Sequence, residues 1–310
     1  MPTASVDDRV TCVIHTLEEA SRLTLDRVGS RKEADALLMC DASNFEVKDV
    51  KNPFMQGQID SVDKDKARAQ WADLKRVFEE CGYAVQVVAS RPGLEDMVFT
   101  ANQVLVGEDD QSQPYAVVSH MLHPSRRAEV PFFRDWFAGH GYRIVELPVE
   151  HLGTPLHFEG QGDAIWHPAR KLLWGGYGHR TLLEAYELLS AMLGVPVVVL
   201  RLRQEKFYHL DTAFCALDEN TVMIHPPAFD DTGLSLIRHY FKHVLEVGEA
   251  DANNFACNAL ALGKKVVLQK GSPETCANLR KVGFEPVEVD TGEFMKSGGS
   301  VFCLKMGIYK

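Results

Sequence analysis

The chain has 310 residues, 45% hydrophobic and 25% charged, with 43 acidic against 33 basic residues and a formal net charge of -10. That is an ordinary globular composition with a sizeable core, needing neither disulfides nor a metal to hold it. The acidic balance argues against a phosphate backbone or an anionic membrane as principal partner.

No stretch approaches the roughly 18 consecutive apolar residues that would span a bilayer. The opening MPTASVDDRV lacks the charged n-region and apolar run of a secretory signal. The seven cysteines are odd in number, scattered and never spaced Cys-x-x-Cys, so they read as reduced thiols, not a disulfide framework or a zinc site. A cytoplasmic protein without a cofactor is expected.

One arrangement recurs along the chain: strand, polar turn, strand, amphipathic helix, then another strand. The first copy is split between the termini. Ala36–Cys40, a helix over Lys66–Cys81 and a strand over Tyr83–Val88 supply most of it, and SVFCLKMGIYK is expected to complete it as a hairpin. In the second, MVFTANQVLV leads through an acidic turn at Gly107–Gln113 to YAVVSH and EVPFFRDWFAGHGYRIVEL.

The third copy is the clearest. Ala164–Trp166 and Leu172–Trp174 flank a turn, and Leu182, Leu183, Tyr186, Leu189 and Met192 follow at helical spacing. Gly194 sits where a helix C-cap belongs, and Val197–Leu200 is an apolar strand of the buried type. The fourth copy turns at Asp218–Asn220, continues through Val222–His225, and starts its helix near Thr232. The fifth runs from NNFACNALALGKKVVLQ through ETCANLRKVGF to EPVEVD.

Five units, one of them filled by both termini, predict a closed ring, because closure hides sheet edges that would otherwise be exposed. The expected fold is α/β: a five-bladed α/β-propeller of ββαβ units, in one domain over residues 1–310. A generic α/β protein with irregular repeats is the alternative on pattern alone.

Four polar segments interrupt apolar strands at corresponding places: EDMVFTAN with Asp96 and Asn102, FEGQGD with Glu159 and Asp163, YHLDT with His209 and Asp211, and GGSVFC with Cys303. Each alone has a bland explanation. A single Cys is usually a small buried hydrophobe, a carboxylate beside Gly is usually a turn residue, and Gly298-Gly299 is a turn. His-x-Asp on one face of a strand is a structural pair or two metal ligands. His239 and His243 in HYFKH have helical spacing but lack the glutamate of a zincin helix.

Taken together the four segments supply what a guanidinium reaction needs. Paired carboxylates hold the planar cation by charge-assisted hydrogen bonds. Its resonance-stabilised carbon demands a strong, soft nucleophile such as a thiolate. A nearby cation lowers the thiol pKa, and a histidine can protonate the departing amine and then deprotonate water.

With NPFMQGQ, EDMVFTAN, FEGQGD, YGHRT, FYHLDTAFC and FACNA in this order, nearly the whole chain resembles the guanidine-modifying (pentein) superfamily. It is most similar to the branch of arginine dihydrolases and dimethylarginine dimethylaminohydrolases. The resemblance implies the same propeller fold, with Cys303 as nucleophile, His209 as general acid and base, and Glu159 orienting His209. It implies substrate contacts from Asp211, Asn102 and Asp96, with Arg126 and Arg180 holding a substrate carboxylate. Asp163 would be structural.

An asparagine at the position of Asn52 accompanies reaction through to ornithine in the dihydrolases, where a plain deiminase stops at citrulline. The chain departs from that pattern at Phe54, Glu95, Gln103 and Lys305. Free arginine is the expected substrate and N-methylated arginine the alternative. An amidinotransferase, or a catalytically silent binding module of the same fold, is less favoured. No nucleic-acid or membrane partner is expected, and a homo-oligomer stays open.

Overall fold

The structure is a computed structural model and describes residues 12–309. Its architecture is α/β. Five small sheets share one pattern: a first strand pairs antiparallel with a second, and the second pairs parallel with a third that arrives through a helix. Such a crossover is required because parallel neighbours cannot be joined by a tight turn.

The split unit pairs Met306–Ile308 with Ala36–Cys40, then Ala36–Cys40 with Ala84–Val88, the helix Lys64–Glu80 lying between the last two in sequence. The second unit is Val104–Glu108, Pro114–Val118, the helix Val130–Gly139 and Arg143–Glu146. The third is Ala164–Trp166, Leu173–Tyr177, the helix Leu183–Leu193 and Val197–Arg201. The fourth is Phe214–Asp218, Thr221–Ile224, the helix Asp231–Tyr240 and His243–Glu246. Leu260–Leu262, Lys265–Gln269, the helix Pro273–Lys281 and Glu285–Val289 make the fifth.

Local chemistry explains the boundaries. Asp63 and Asp230 cap their helices through side-chain oxygens that accept the backbone N–H of Lys66 and Gly233 at 3.0 and 2.8 Å. Gly194 ends the third helix at φ +68°, a conformation glycine adopts without strain. The second strands are almost wholly buried, as in Leu37, Leu38, Met39, Val222, Met223, Ile224, Val266 and Val267, so they read as continuous apolar runs.

Several expectations need correction. MVFTAN is not a strand: Glu95–Val98 is a 3-10 turn and the strand begins at Val104. SVFCLK is likewise a tight turn, so the C-terminus contributes one strand, not a hairpin. His209 and Asp211 flank and occupy the 3-10 turn Leu210–Thr212, which removes the strand-face reading of His-x-Asp. The fourth helix stops at Tyr240, so His239 and His243 share no helix face. Met192 is 46% exposed despite its helical spacing. The strand Val13–Ile14, joined parallel to Val197–Val198, was not anticipated.

Candidate active site

The first strand of each unit is preceded by a turn, and four of these turns are the polar segments picked out above. The fifth, 254–259, carries Asn258, which the sequence reading passed over. The repeat itself was the signal: FACNA stands before Leu260 as FTAN stands before Val104.

Cys303 and Asp211 meet in a fully buried contact, the thiol donating to Asp211 Oδ2 at 3.1 Å. Asp211 Oδ1 has no hydrogen-bond partner. Burial raises the Asp211 carboxyl to about 7, against the lowering effect of the Cys303 hydrogen bond and the Lys305 charge. Burial, and then Asp211, push the Cys303 thiol well above its usual value. Both effects favour the protonated thiol.

Asn258 anchors this pair. Its Nδ2 donates to Cys303 Sγ and to the Asp211 carbonyl, both at 3.1 Å. Its Oδ1 accepts the backbone N–H groups of Ser300, Phe302 and Cys303 at 3.1, 3.1 and 3.2 Å.

Glu159 and His209 form the second pair, with Nε2 2.6 Å from Glu159 Oε2. Glu159 also accepts from Arg180 at 3.1 Å and from the Leu122 N–H at 2.9 Å. Burial alone would raise this carboxyl, but Arg180 and His209 outweigh it and hold Glu159 well below the usual carboxylate range. Arg126 donates to Asn102 Oδ1 at 2.9 Å, which turns the Asn102 Nδ2 toward His209 Nδ1, 3.5 Å away. That orientation leaves the proton on Nε2, facing Glu159, and the lone pair on Nδ1. No hydrogen bond joins His209 to Cys303.

Asp163 supports the histidine without touching it. Its carboxylate accepts the Leu210 N–H at 3.0 Å and the Thr181 hydroxyl at 2.7 Å, fixing the turn after His209, and burial raises it to about 6. A Cβ at Gly162 would collide with the Asn102 amide, which Arg126 holds in place.

A narrow cleft leads to Cys303, and Asn52, Asp96, Asn102, Arg126 and Arg180 also line it. Asn52 caps the turn Pro53–Met55 by accepting the Phe54 N–H at 3.0 Å and donates to the Ser297 carbonyl at 3.0 Å. Asp96 accepts from Ser297 Oγ at 2.9 Å and pairs with Lys51 at 3.0 Å. Lys51, a second residue missed in sequence, is buried and also pairs with Glu95 at 3.2 Å and with Asp49.

The arginine pair is more engaged than expected. Arg126 pairs with Glu129 at 3.1 Å and donates to the Asp96 and Phe99 carbonyls. Arg180 donates to the Lys51 carbonyl at 2.8 Å and stacks over Tyr208 at 4.6 Å. Lys305 does not line the cleft. Among the described residues, no three His, Cys, Asp or Glu side chains converge as a metal site.

A family profile, N,N dimethylarginine dimethylhydrolase, eukaryotic, matches residues 41–310. The chain belongs to this family. It is 38% identical over 273 residues to AgrE, a bifunctional arginine dihydrolase/ornithine cyclodeaminase of Nostoc sp., covering 87% of this chain and 37% of that protein. It is also 38% identical over 258 residues to the N(G),N(G)-dimethylarginine dimethylaminohydrolase of Mycobacterium tuberculosis, covering 83% and 80% respectively. The chain thus spans a little over a third of the length of the bifunctional relatives.

Among solved structures, the N-terminal domain of the cyanobacterial arginine dihydrolase ArgZ, a Cys-to-Ser variant bound to substrate, superposes with a TM-score of 0.83 at 35% identity. The match covers 89% of this chain and 98% of that one. A dimethylarginine dimethylaminohydrolase at 19% identity and a TM-score of 0.71 shares the fold. No helix of the described residues is long and apolar enough to cross a membrane.

Proposed function

We propose that the protein hydrolyses the guanidinium of free arginine through a covalent amidino-cysteine intermediate, with ornithine as the final organic product. The observation that carries this reading is the buried Cys303–Asp211 contact with Asp211 Oδ1 left unpartnered. A carboxylate oxygen held out of water without a donor is matched by the N–H groups of a guanidinium.

A cation placed there favours ionised Asp211 and ionised Cys303 together, so substrate creates its own nucleophile. The Cys303 sulfur then bonds to the guanidinium carbon. The proton lost by Cys303 passes through the bound guanidinium to the lone pair on His209 Nδ1. As a C–N bond breaks, the imidazolium hands it from Nδ1 to the departing nitrogen, which leaves as ammonia. His209 next takes a proton from water, whose oxygen attacks the same carbon and releases the sulfur, giving citrulline. A second round at the ureido carbon releases ammonia and carbon dioxide and leaves ornithine. Glu159 keeps the imidazole oriented and stabilises its charged form. Asn52, Asp96, Asn102, Arg126 and Arg180 bind and position the substrate in this scheme.

The 38% identity to the Mycobacterium tuberculosis enzyme supports a second reading, in which methylated arginine loses a methylamine and leaves citrulline. Incubation with arginine and with dimethylarginine, with products identified by mass spectrometry, separates the two. Ornithine from arginine is expected; citrulline from dimethylarginine alone supports the second reading. Full turnover by Cys303→Ser would overturn both.

The five units are read as closing into a five-bladed propeller that forms one domain over residues 1–310. The side-by-side placement of the first strands Phe214–Asp218 and Leu260–Leu262, and of Met306–Ile308 and Val104–Glu108, supports this. A small-molecule substrate and a cytoplasmic setting accompany the reading, and a homo-oligomer is compatible with it.

A further inference from the structure

A second cavity, of about 360 Å³, shares no lining residue with the cleft of Cys303. Strands of four units wall it, contributing Leu37, Ile165, Phe214, Leu217 and Leu262. Lys305 lines it and is 2% exposed. Its ammonium makes no hydrogen bond or ion pair and lies over the Phe302 ring, 3.2 Å from the centroid. The cavity also receives Gln161, whose Oε1 is a buried acceptor without a donor, and Arg31, whose Nε is buried without an acceptor. Native interiors rarely leave a cation and polar atoms unmatched around one space.

We propose that this cavity binds a small carboxylate with an apolar body, its anionic group against Lys305 and a hydroxyl or amine of the ligand donating to Gln161 Oε1. The apolar walls take the body, as in other ligand pockets where a few polar groups set orientation.

Burial without a partner pushes Lys305 down to about 7, and a bound anion favours its protonated form. The charged and titratable groups around it are Asp211, Cys215 and Cys303 on the inner side, with Arg31, Glu33, Tyr83, Asp218 and Glu219 lining the cavity. Binding therefore weakens as pH rises through about 7, where Lys305 loses its proton.

Titration calorimetry with 3-(4-hydroxyphenyl)propionate and its neutral amide, 3-(4-hydroxyphenyl)propionamide, tests the site. The acid is expected to bind at least about tenfold tighter than the amide, the worth of one charge-assisted contact. Lys305→Met should erase that preference. Ala261→Phe, which fills the cavity from its wall, should abolish binding while the rate of Cys303 alkylation by iodoacetamide stays at the wild-type value. Equal binding of acid and amide, or of neither, overturns the proposal. So does binding that survives Ala261→Phe, or protection of Cys303 from iodoacetamide by the acid, which would place the ligand in the other cleft.

Discussion

The Asn258 amide holds Cys303 at both ends, donating to Sγ at 3.1 Å and accepting the Cys303 backbone N–H at 3.2 Å. Replacement by Ala strands the N–H groups of Ser300 and Cys303 in a buried turn and should cost about 3 kcal/mol or more. Asn258→Asp separates holding the turn from tuning the sulfur. It keeps the acceptor but sets a carboxylate beside Sγ, so the fold should survive while the thiol becomes harder to ionise. The pH profile of iodoacetamide alkylation should move up by about one unit or more, and any loss of melting temperature should be smaller than for Ala at pH 5, where the new carboxyl stays protonated. An unmoved profile would leave Asn258 a purely structural residue.

Asp211 is expected to oppose stability while serving the chemistry. Its carboxyl is raised from 3.8 to about 7 in the fold, so above pH 3.8 the unfolded chain loses this proton while the folded chain keeps it. Stability from this group therefore falls as pH climbs from about 4 to 7. Asp211→Asn removes the penalty. Urea denaturation should find the variant more stable than wild type by a few kcal/mol (order of magnitude) at pH 8, and nearly equal at pH 4. Turnover should be lost at both. A stability gap independent of pH would contradict this account.

Much of the fold was legible because short apolar runs, polar turns and helical spacing recur in the same order along the chain. The third unit keeps the order and places of its sequence reading from Ala164 to Leu200, although its second strand runs on to Tyr177 and Leu182 stands just before the helix. The bends before the first strands were harder, because apolar residues such as Phe99, Leu210 and Val301 sit among their polar ones and carry the strand pattern onward. In FYHLDTAFC the bend is held by one distant bond, Asp163 taking the Leu210 N–H, and one local bond, the Thr212 hydroxyl closing on the His209 carbonyl at 2.6 Å. Lys51 carried no signal of its own in sequence, because it is buried by Glu95 and Asp96, which come from a distant turn to meet it. Arg126 was legible as a residue type, but its partners were not.

Those partners make Arg126 as much a structural residue as a binding one. Arg126→Met leaves Glu129, which is 1% exposed, without its cation. Unpairing a buried ion pair costs about 3–5 kcal/mol. Burial already lifts Glu129 to about 7 despite Arg126, so without the arginine it is neutral at pH 5 and penalised at pH 8. The loss of melting temperature should be larger at pH 8, and Arg126→Met with Glu129→Gln should recover part of it. A raised KM with unchanged stability would instead make Arg126 chiefly a substrate anchor.

Asn52 bears on the product. Its side chain joins the Phe54 N–H to the Ser297 carbonyl at the edge of the cleft, within reach of whatever follows attack by Cys303. An amide there can hold the ureido group of citrulline for a second attack, whereas the first attack draws on Asp211 and the charge of the substrate. Asn52→Ala should then lower ornithine yield by about tenfold, the worth of roughly 1.4 kcal/mol in the second barrier, while arginine consumption changes only a few-fold and citrulline accumulates. Quench-and-count mass spectrometry over a single arginine pulse measures both products. Parallel loss of citrulline and ornithine would place Asn52 in substrate binding alone.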